Sequence, residues 1–342
     1  MKNVAIICGG VSSEHEISCI SAGSVIKAID KTKFNPILIG ITKSGSWRLL
    51  PTETDFAISG RGTNAKLPEV ADSADASNQV SWNRDGAFVN GKNLKIDIAF
   101  PILHGPFGED GTIQGLFEMW ALPYVGSKVL ASAVCMDKSF AKPIFAAHGI
   151  KVVPGIVTTT TDVELPSNLN FPLFVKPARG GSSRGTIKVK TESQLKPAII
   201  EAQKYDQKVL IEQAITATEV ECAILQSGGK YFVSNPGQIK LADKYEFYDF
   251  EAKYLDDSME LIVPAEIPDS ARTEIKSLAL RAFQAADCAG LARIDFFYSD
   301  KGEIFINEIN TMPGFTPTSV YPKLMQDAGI NYSELITKLL LG

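Results

Sequence analysis

Short apolar runs, separated by glycines and polar clusters, divide this chain into strands and amphipathic helices. Residues 3–8 form a buried β run closed by Gly9-Gly10, and a helical pattern follows. Ser13 and Glu16 have the spacing of a capping box at that helix start. Residues 34–41 supply another strand, and strand–helix–strand predicts a right-handed crossover in a parallel sheet. Residues 52–78 are polar and weakly periodic, as expected of a surface excursion. A hairpin is predicted over 80–89 around Arg84-Asp85-Gly86, then an apolar strand over 96–103 that runs into the loop HGPFGEDG. A helix over 112–122 stops at Pro123.

The second half alternates more rapidly. Residues 127–148 read as helix, with an interruption expected at Pro143. FPLFVKP, at 171–177, is a strand that feeds a glycine-rich loop at 178–185, and residues 187–190 return as a strand. A helix over 192–205, strands at 209–213, 219–226 and 230–233, and a polar loop from 238 to 257 follow. Helices are expected at 269–286 and 332–341.

Between those last helices lies the most informative stretch, LARIDFFYSDKGEIFINEINTMPG. Ser299-Asp300-Lys301-Gly302 separates two apolar, aromatic-rich runs, a strong hairpin signal. With a two-residue loop, Arg293 and Asp295 share a face with Ile306, Glu308 and Asn310. Ile294, Phe296, Phe305 and Ile309 then form the core face, and a three-residue loop would break the arrangement. Two bare carboxylates ~4 Å apart repel by roughly 4 kcal/mol at an effective dielectric of about 20. A hard divalent cation removes that repulsion, and Asp, Glu and Asn oxygens suit Mg²⁺. The competing reading is a solvated face with surface ion pairs.

Composition narrows the function classes. The 342 residues exceed one ordinary core, so two or three domains are expected, and 45% apolar with 21% charged residues is globular. The net charge of −5 weighs against nucleic acid as the main partner. No apolar run has the length of a membrane span, and the N-terminal run is a strand rather than a signal peptide, which places the protein in the cytoplasm. Five scattered cysteines without a C-x-x-C pair suggest reduced core thiols and no zinc site.

Other chemistry is carried by loops. Gly180-Gly181-Ser182-Ser183-Arg184-Gly185 offers backbone N–H groups suited to phosphate, although it is neither a Walker A loop nor G-x-G-x-x-G; a plain hairpin tip competes. Lys176, set in an apolar strand, favours the phosphate reading. Glu14, in the first helical turn, can cap the helix or hold a ligand ammonium, and the sequence favours the cap. His104 ends a buried strand, where open α/β sheets bind ligands, whereas His15 and His148 read as structural. The aromatic-rich loop 244–254 is either a mobile lid or a core-packed excursion.

Taken together, GGVSSEHEIS, HGPFGEDGTIQG, GSKVLASAVCMDK, FVKPARGGSSRG, EAKY, ARIDF and NEINTMPGFTPTS resemble the ATP-grasp superfamily, and within it the D-alanine–D-alanine ligases, in order and over nearly the whole chain. The resemblance implies an α/β, three-domain ATP-grasp fold with an N-terminal Rossmann-like parallel sheet. The domains expected are 1–134 for substrate, 135–212 for the central ATP-grasp part, and 213–342 for the C-terminal part with lid and metal site. It implies ATP-dependent joining of two D-alanines through a D-alanyl phosphate, in peptidoglycan precursor synthesis. ATP and two Mg²⁺ (or Mn²⁺) are the implied co-substrate and cofactors, D-alanine the partner substrate, and a homodimer the implied assembly.

Site roles follow position by position from the same resemblance. Lys138, Lys176 and Lys253 match lysines on the phosphates; Glu212, Gln213 and Ile215 match the adenine contacts, Glu219 the ribose acid, and Asn307 a further nucleotide contact. Asp295, Glu308 and Asn310 match metal ligands, and Arg293 with the Gly314 N–H matches the pair at the tetrahedral intermediate. Glu14 and His104 match the first D-alanine site, Ser182 and Tyr254 the lid-closing partners of that glutamate, and Ser319 the second D-alanine carboxylate. Tyr254, where phenylalanine accompanies D-lactate use, favours an amine acceptor. Ala178, Met312 and Val320 depart from the commoner serine, serine and leucine. Rival readings are a ligase taking D-lactate or D-serine second, another ATP-grasp carboxylate–amine ligase, and a non-catalytic relative.

Overall fold

Continuous burial from Val4 to Gly9 makes strand Lys2–Gly9 the centre of a four-stranded sheet. Phe34–Ile41 and Ile98–Pro101 flank it in parallel, and Trp47–Leu50 adds an antiparallel edge. Parallel strands need covered faces, which accounts for the unbroken apolar run. Helix His15–Ala28 connects the first two strands, as the strand–helix–strand pattern predicts. The computed structural model describes residues 1–59, 66–72, 76–241 and 259–342.

Two further large sheets follow among the described residues, besides a small antiparallel one of Ser81–Asn83, Gly86–Val89 and Lys92–Asn93. Ile187–Val189, Leu173–Pro177, Val209–Gln213 and Gly155–Thr158 form an antiparallel sheet in that order. Leu173, Val175, Val209 and Ile211 pack there with Ile199 of helix Glu192–Ala202. The third sheet runs Met259–Ile262, Gly237–Leu241, Ala217–Ser227, Leu291–Ser299, Ile304–Asn310, with Lys230–Val233 paired to Ala217–Ser227. Helix Asp269–Ala285 buries Ile275, Leu278 and Phe283 against Ile294, Phe296 and Ile309 of that sheet. A second cluster joins it to the N-terminal sheet: the Phe315 ring lies 5.5 Å from Phe100, edge-on, with Tyr321 and Leu335 beside it.

Several expectations need correcting. The break in the 127–148 helix falls at Asp137, not Pro143. Asp137 leaves helical geometry (φ −98°, ψ 100°) and its carboxylate accepts from Ser139 N at 3.0 Å, starting a new helix, Lys138–Ala147, that contains Pro143. The Ser13–Glu16 capping box is not formed: helix His15–Ala28 begins after Glu14 and has no side-chain cap. The polar loop expected from residue 238 gives way to strand Gly237–Leu241; its remainder, 242–258, lies outside the described residues, and Lys253, Tyr254 and the lid loop with it. Part of the 52–78 excursion is not idle surface, because Phe56 and Val70 are buried in the N-terminal core.

The 291–310 hairpin departs from expectation in its loop. Ser299 N donates to Glu303 O at 2.8 Å, so three residues, Asp300, Lys301 and Gly302, form the connection. That loop alone would set Asp295 opposite Asn307 and swing Glu308 to the core face. Instead the register shifts between Asp295 and Phe296, and Asn307 is the extra residue of a β-bulge. Glu308 then pairs with Asp295 and Asn310 with Arg293. Ile306 moves to the core face opposite Phe296, while Phe305 takes the other face opposite Phe297.

Candidate active site

A cleft of about 690 Å³ opens between the central antiparallel sheet and the C-terminal one, a volume suited to a small-molecule ligand. Its roof is the glycine loop. Ser182 (φ 53°) and Ser183 (φ 55°) both sit in left-handed backbone, which disfavours non-glycine residues by about 1–2 kcal/mol each. Such geometry concentrates at functional sites, and here it aims the Ser182 hydroxyl at Glu14 Oε1, 2.7 Å away. Glu14 therefore does not cap its helix; its buried carboxylate faces the glycine loop from the N-terminal sheet.

Lysines line the cleft floor. Lys138, the first residue of its helix, donates to Gly180 O at 2.8 Å and pairs with Glu308 at 2.7 Å, tying the glycine loop to the hairpin. Lys176 reaches Glu212 at 2.5 Å and Asn307 Oδ1 at 3.2 Å. Lys142, one turn beyond Lys138 and buried, is a third cation and also pairs with Glu212. Burial alone would raise the Glu212 carboxyl, yet the ammonium groups of Lys142 and Lys176 hold it at about 2. Burial pushes the Lys142 ammonium down to about 8, opposed by Glu212 and helped by the like charges of Lys176 and Lys138. Three ammonium groups thus share two carboxylates, and the excess positive charge suits a polyanion such as a phosphate chain.

Arg293 grips Asp295 through two bonds, 2.8 and 2.7 Å, and Glu221 at 2.9 Å. Although burial works against its charge, Asp295 and Glu221 hold the guanidinium well above its ordinary range. Asn310 Nδ2 donates to Asp295 Oδ2 at 3.0 Å. Asp295, Glu308 and Asn310 thus offer hard oxygen donors on one face, a set that fits a divalent cation. Among the described residues no group of three or more His, Cys, Asp or Glu side chains could hold a metal, so this smaller set would need oxygens from a bound phosphate to complete a shell.

The remaining candidates divide. Gln213, Ile215, Glu219 and Asn307 line the cleft, although the Gln213 amide is tied to Asn170, exchanging bonds of 2.9 Å with its backbone. Gly314 packs against Ser319, where an added Cβ would lie 3.2 Å from the hydroxyl. Ser319 Oγ accepts from Thr316 N at 3.1 Å, closing the turn after the hairpin. His104 is buried with both ring nitrogens engaged inside the protein: Nδ1–H donates to Met312 O at 2.9 Å and Nε2 faces Ser21 Oγ at 3.3 Å. Burial lowers its pKa against the pull of Glu14, so the ring is neutral. His15 bridges Gly10 O and Val70 N, a structural role. All five cysteines are free and buried.

Three residues of the site were not singled out from the sequence. Lys142 lies four positions after Lys138, which a helical reading places on the same face. Glu221 alternates with Glu219 along Ala217–Ser227, so strand periodicity signals it. Glu109 lies within HGPFGEDG, and only the fold reveals its partners, Gly105 N at 2.7 Å and Met312 N at 3.1 Å.

A cleft between these two sheets, roofed by a glycine loop and lined by lysines and acids, is what an ATP-grasp ligase has, and comparison with solved structures gives that fold. A D-Ala:D-Ser ligase from Enterococcus faecalis superposes with a TM-score of 0.84 at 36% identity, covering 99% of this chain and 98% of that one. The D-alanine–D-alanine ligase from Coxiella burnetii gives 0.81 at 31%, covering 99% and 94%. The family models for the D-ala D-ala ligase N-terminus and C-terminus match residues 3–127 and 144–341. D-alanine–D-alanine ligases of Mycolicibacterium smegmatis and Mycobacterium tuberculosis are each 44% identical over 354 residues, spanning 98% of this chain and 94% of theirs. This chain belongs to the D-alanine–D-alanine ligase family, a family of ATP-dependent ligases.

Proposed function

We propose that this chain joins two D-alanines into D-alanyl-D-alanine for peptidoglycan precursor synthesis, with ATP converted to ADP and phosphate. The observation that carries the reading is the bond from Ser182 to Glu14, because it sets a carboxylate fit for an amino-acid ammonium against the glycine loop over the lysine cleft. Glu14 binds the first D-alanine through its ammonium and leaves its carboxylate facing the phosphates. That carboxylate oxygen attacks the γ-phosphorus and ADP leaves, giving D-alanyl phosphate. Lys138 and Lys176 lower the repulsion between the two anions. Lys253 matches a third phosphate-binding lysine.

The deprotonated amine of the second D-alanine then attacks the acyl carbon, and phosphate departs from the tetrahedral intermediate. Arg293 and the Gly314 N–H hold the oxyanion, and Ser319 receives the second carboxylate. Glu212, Gln213, Ile215, Glu219 and Asn307 form the nucleotide site. Asp295, Glu308 and Asn310 would hold two Mg²⁺ or Mn²⁺ ions, which neutralise charge on the transferring phosphate. The domain division at 134 and 212, a homodimer and a cytoplasmic location belong to the same reading.

The acceptor has two rivals, D-serine and D-lactate. The Enterococcus faecalis structure, a D-Ala:D-Ser ligase, favours D-serine, whereas the 44% identical relatives carry the D-alanine name. Tyr254 favours an amine over D-lactate. Phosphate release from ATP is expected with D-alanine and absent with L-alanine. Release independent of D-alanine, or mixed product exceeding D-alanyl-D-alanine when D-serine or D-lactate is supplied equally, would overturn the reading.

A further inference from the structure

We propose that Glu109 is a positioning residue: with His104 it clamps the Met312 backbone and so aligns the amino-acid pocket of the N-terminal sheet with the turn bearing the Gly314 N–H. The inference rests on the functional reading above. Its basis is that both polar atoms of one peptide residue are held by neighbouring side chains of one loop. Glu109 Oε1 accepts from Met312 N at 3.1 Å, and His104 Nδ1–H donates to Met312 O at 2.9 Å. The second Glu109 oxygen accepts from Gly105 N at 2.7 Å, so the carboxylate also closes its own loop.

That loop is joined to the Glu14 pocket. Ser12 Oγ donates to His104 O at 2.8 Å and takes the Glu14 N–H at 3.2 Å. Gly105 packs beneath the carboxylate of Glu14; an added Cβ there would sit 2.9 Å from Oε2, and φ is +73°. Gly108 tolerates no side chain either, since its Cβ would fall 2.3 Å from Leu103 O. The loop is therefore a rigid bracket between residue 14 and residue 312, and Gly314 lies two positions further on. One side chain accepting from two backbone N–H groups ties the loop to itself through Gly105 and to the turn through Met312.

The bracket is held under unfavourable electrostatics. Burial and the nearby charge of Glu14 push the Glu109 pKa up to about 8, opposed by the two N–H groups and by Arg293. A neutral amide, Glu109→Gln, would suit that environment better but turns an NH₂ toward one of the two N–H donors. The loss would appear as misalignment and not as weaker nucleotide binding, because Glu109 does not line the ATP cleft.

The test uses the full-length wild type, Glu109→Gln and Glu109→Ala. In both variants kcat for D-alanine-dependent phosphate release should fall about 10- to 100-fold, the scale of an ångström-sized misplacement, while KM for ATP stays within about twofold. Amide hydrogen exchange should rise in residues 311–315 of both variants and not in the glycine loop at 180–185. A kcat within about twofold of wild type in the Gln variant, or unchanged exchange at 311–315, would overturn the proposal. A wild type silent with D-alanine sinks the functional reading instead, and exchange at 311–315 still decides whether Glu109 holds Met312.

Discussion

Two hairpins in this chain use similar parts and reach different ends. The first pairs Ser81–Asn83 with Gly86–Val89 in one uninterrupted register across Arg84-Asp85. The second pairs Leu291–Ser299 with Ile304–Asn310 and needs both a three-residue loop and a bulge at Asn307. Each carries a glycine at positive φ beside its turn, Gly86 at +125° and Gly302 at +78°. The first packs Ala87, Val89 and Trp82 into one apolar cluster, where the Trp82 ring stacks on Trp120 at 4.8 Å and meets Trp47 edge-on at 5.5 Å. The second must put four polar groups on one face while filling a core with the other. A regular ladder suffices for packing alone. Keeping Arg293, Asp295, Glu308 and Asn310 on one face over an odd-numbered loop takes an added residue, and bulges collect beside active sites.

The largest expected effect tests whether the face is functional. Glu308→Gln keeps the shape and removes one charge opposite Asp295. Turnover should fall on the order of 10²-fold or more, the scale seen when a preorganised electrostatic group is lost from a site. Thermal unfolding should move little, because Lys138 keeps its bond to Gly180 O. Near-normal turnover in steady-state assays would return this hairpin to the solvated, ion-paired reading.

Next comes the bulge itself. Deleting Asn307 leaves Asp295 opposite Glu308 and Phe296 opposite Ile306, now in a regular ladder. What is lost is the local twist and the hydrogen bond that the Lys176 ammonium donates to Asn307 Oδ1. Asn307→Ala loses that hydrogen bond and keeps the backbone. If the bulge merely carries that amide, the two variants should weaken ATP binding equally, by roughly 10-fold for one hydrogen bond to a charged group. A deletion much worse than the alanine variant, by calorimetric titration with ATP, would show that the bend also aims the strand.

These comparisons explain what was legible in the sequence. Strands Val209–Gln213 and Lys230–Val233 and helix Tyr332–Leu341 lie where local pattern puts them, because their alternation and punctuation are self-contained. Helix Val320–Asp327 is masked in the sequence by Pro322, which looks like a breaker, yet it falls in the first turn, where its missing N–H is harmless. Edge strand Trp47–Leu50 depends on pairing with Phe34–Ile41 rather than on its own pattern. In the site, Asp295, Glu308 and Asn310 could be grouped from alternation, although by a loop length that proved wrong and was compensated by Asn307. Glu14 resisted local reading because its partner, Ser182, is 168 residues away. Glu109 did so because Met312, which it holds, is 203 residues away.

The smallest effect on function should come from the two turn glycines. Gly302 sits near the ordinary left-handed well, and an added Cβ would meet nothing nearer than the Tyr298 hydroxyl at 3.7 Å. Gly302→Ala should therefore lose only about 1 kcal/mol of stability. Gly86, at φ +125°, lies beyond that well, and its Cβ would approach Asn93 Nδ2 at 3.2 Å. Gly86→Ala should destabilise more, by about 1–3 kcal/mol, the range for backbone held in sparsely populated regions. Neither residue lines the cleft, so both variants should retain wild-type kcat below their melting temperatures. Chemical denaturation ranks the stabilities, and steady-state kinetics reads the site. If Gly302→Ala lowered kcat while Gly86→Ala did not, loop and bulge would be mechanically coupled, because strain at the turn would then have reached Asp295 and Glu308 through the shifted register.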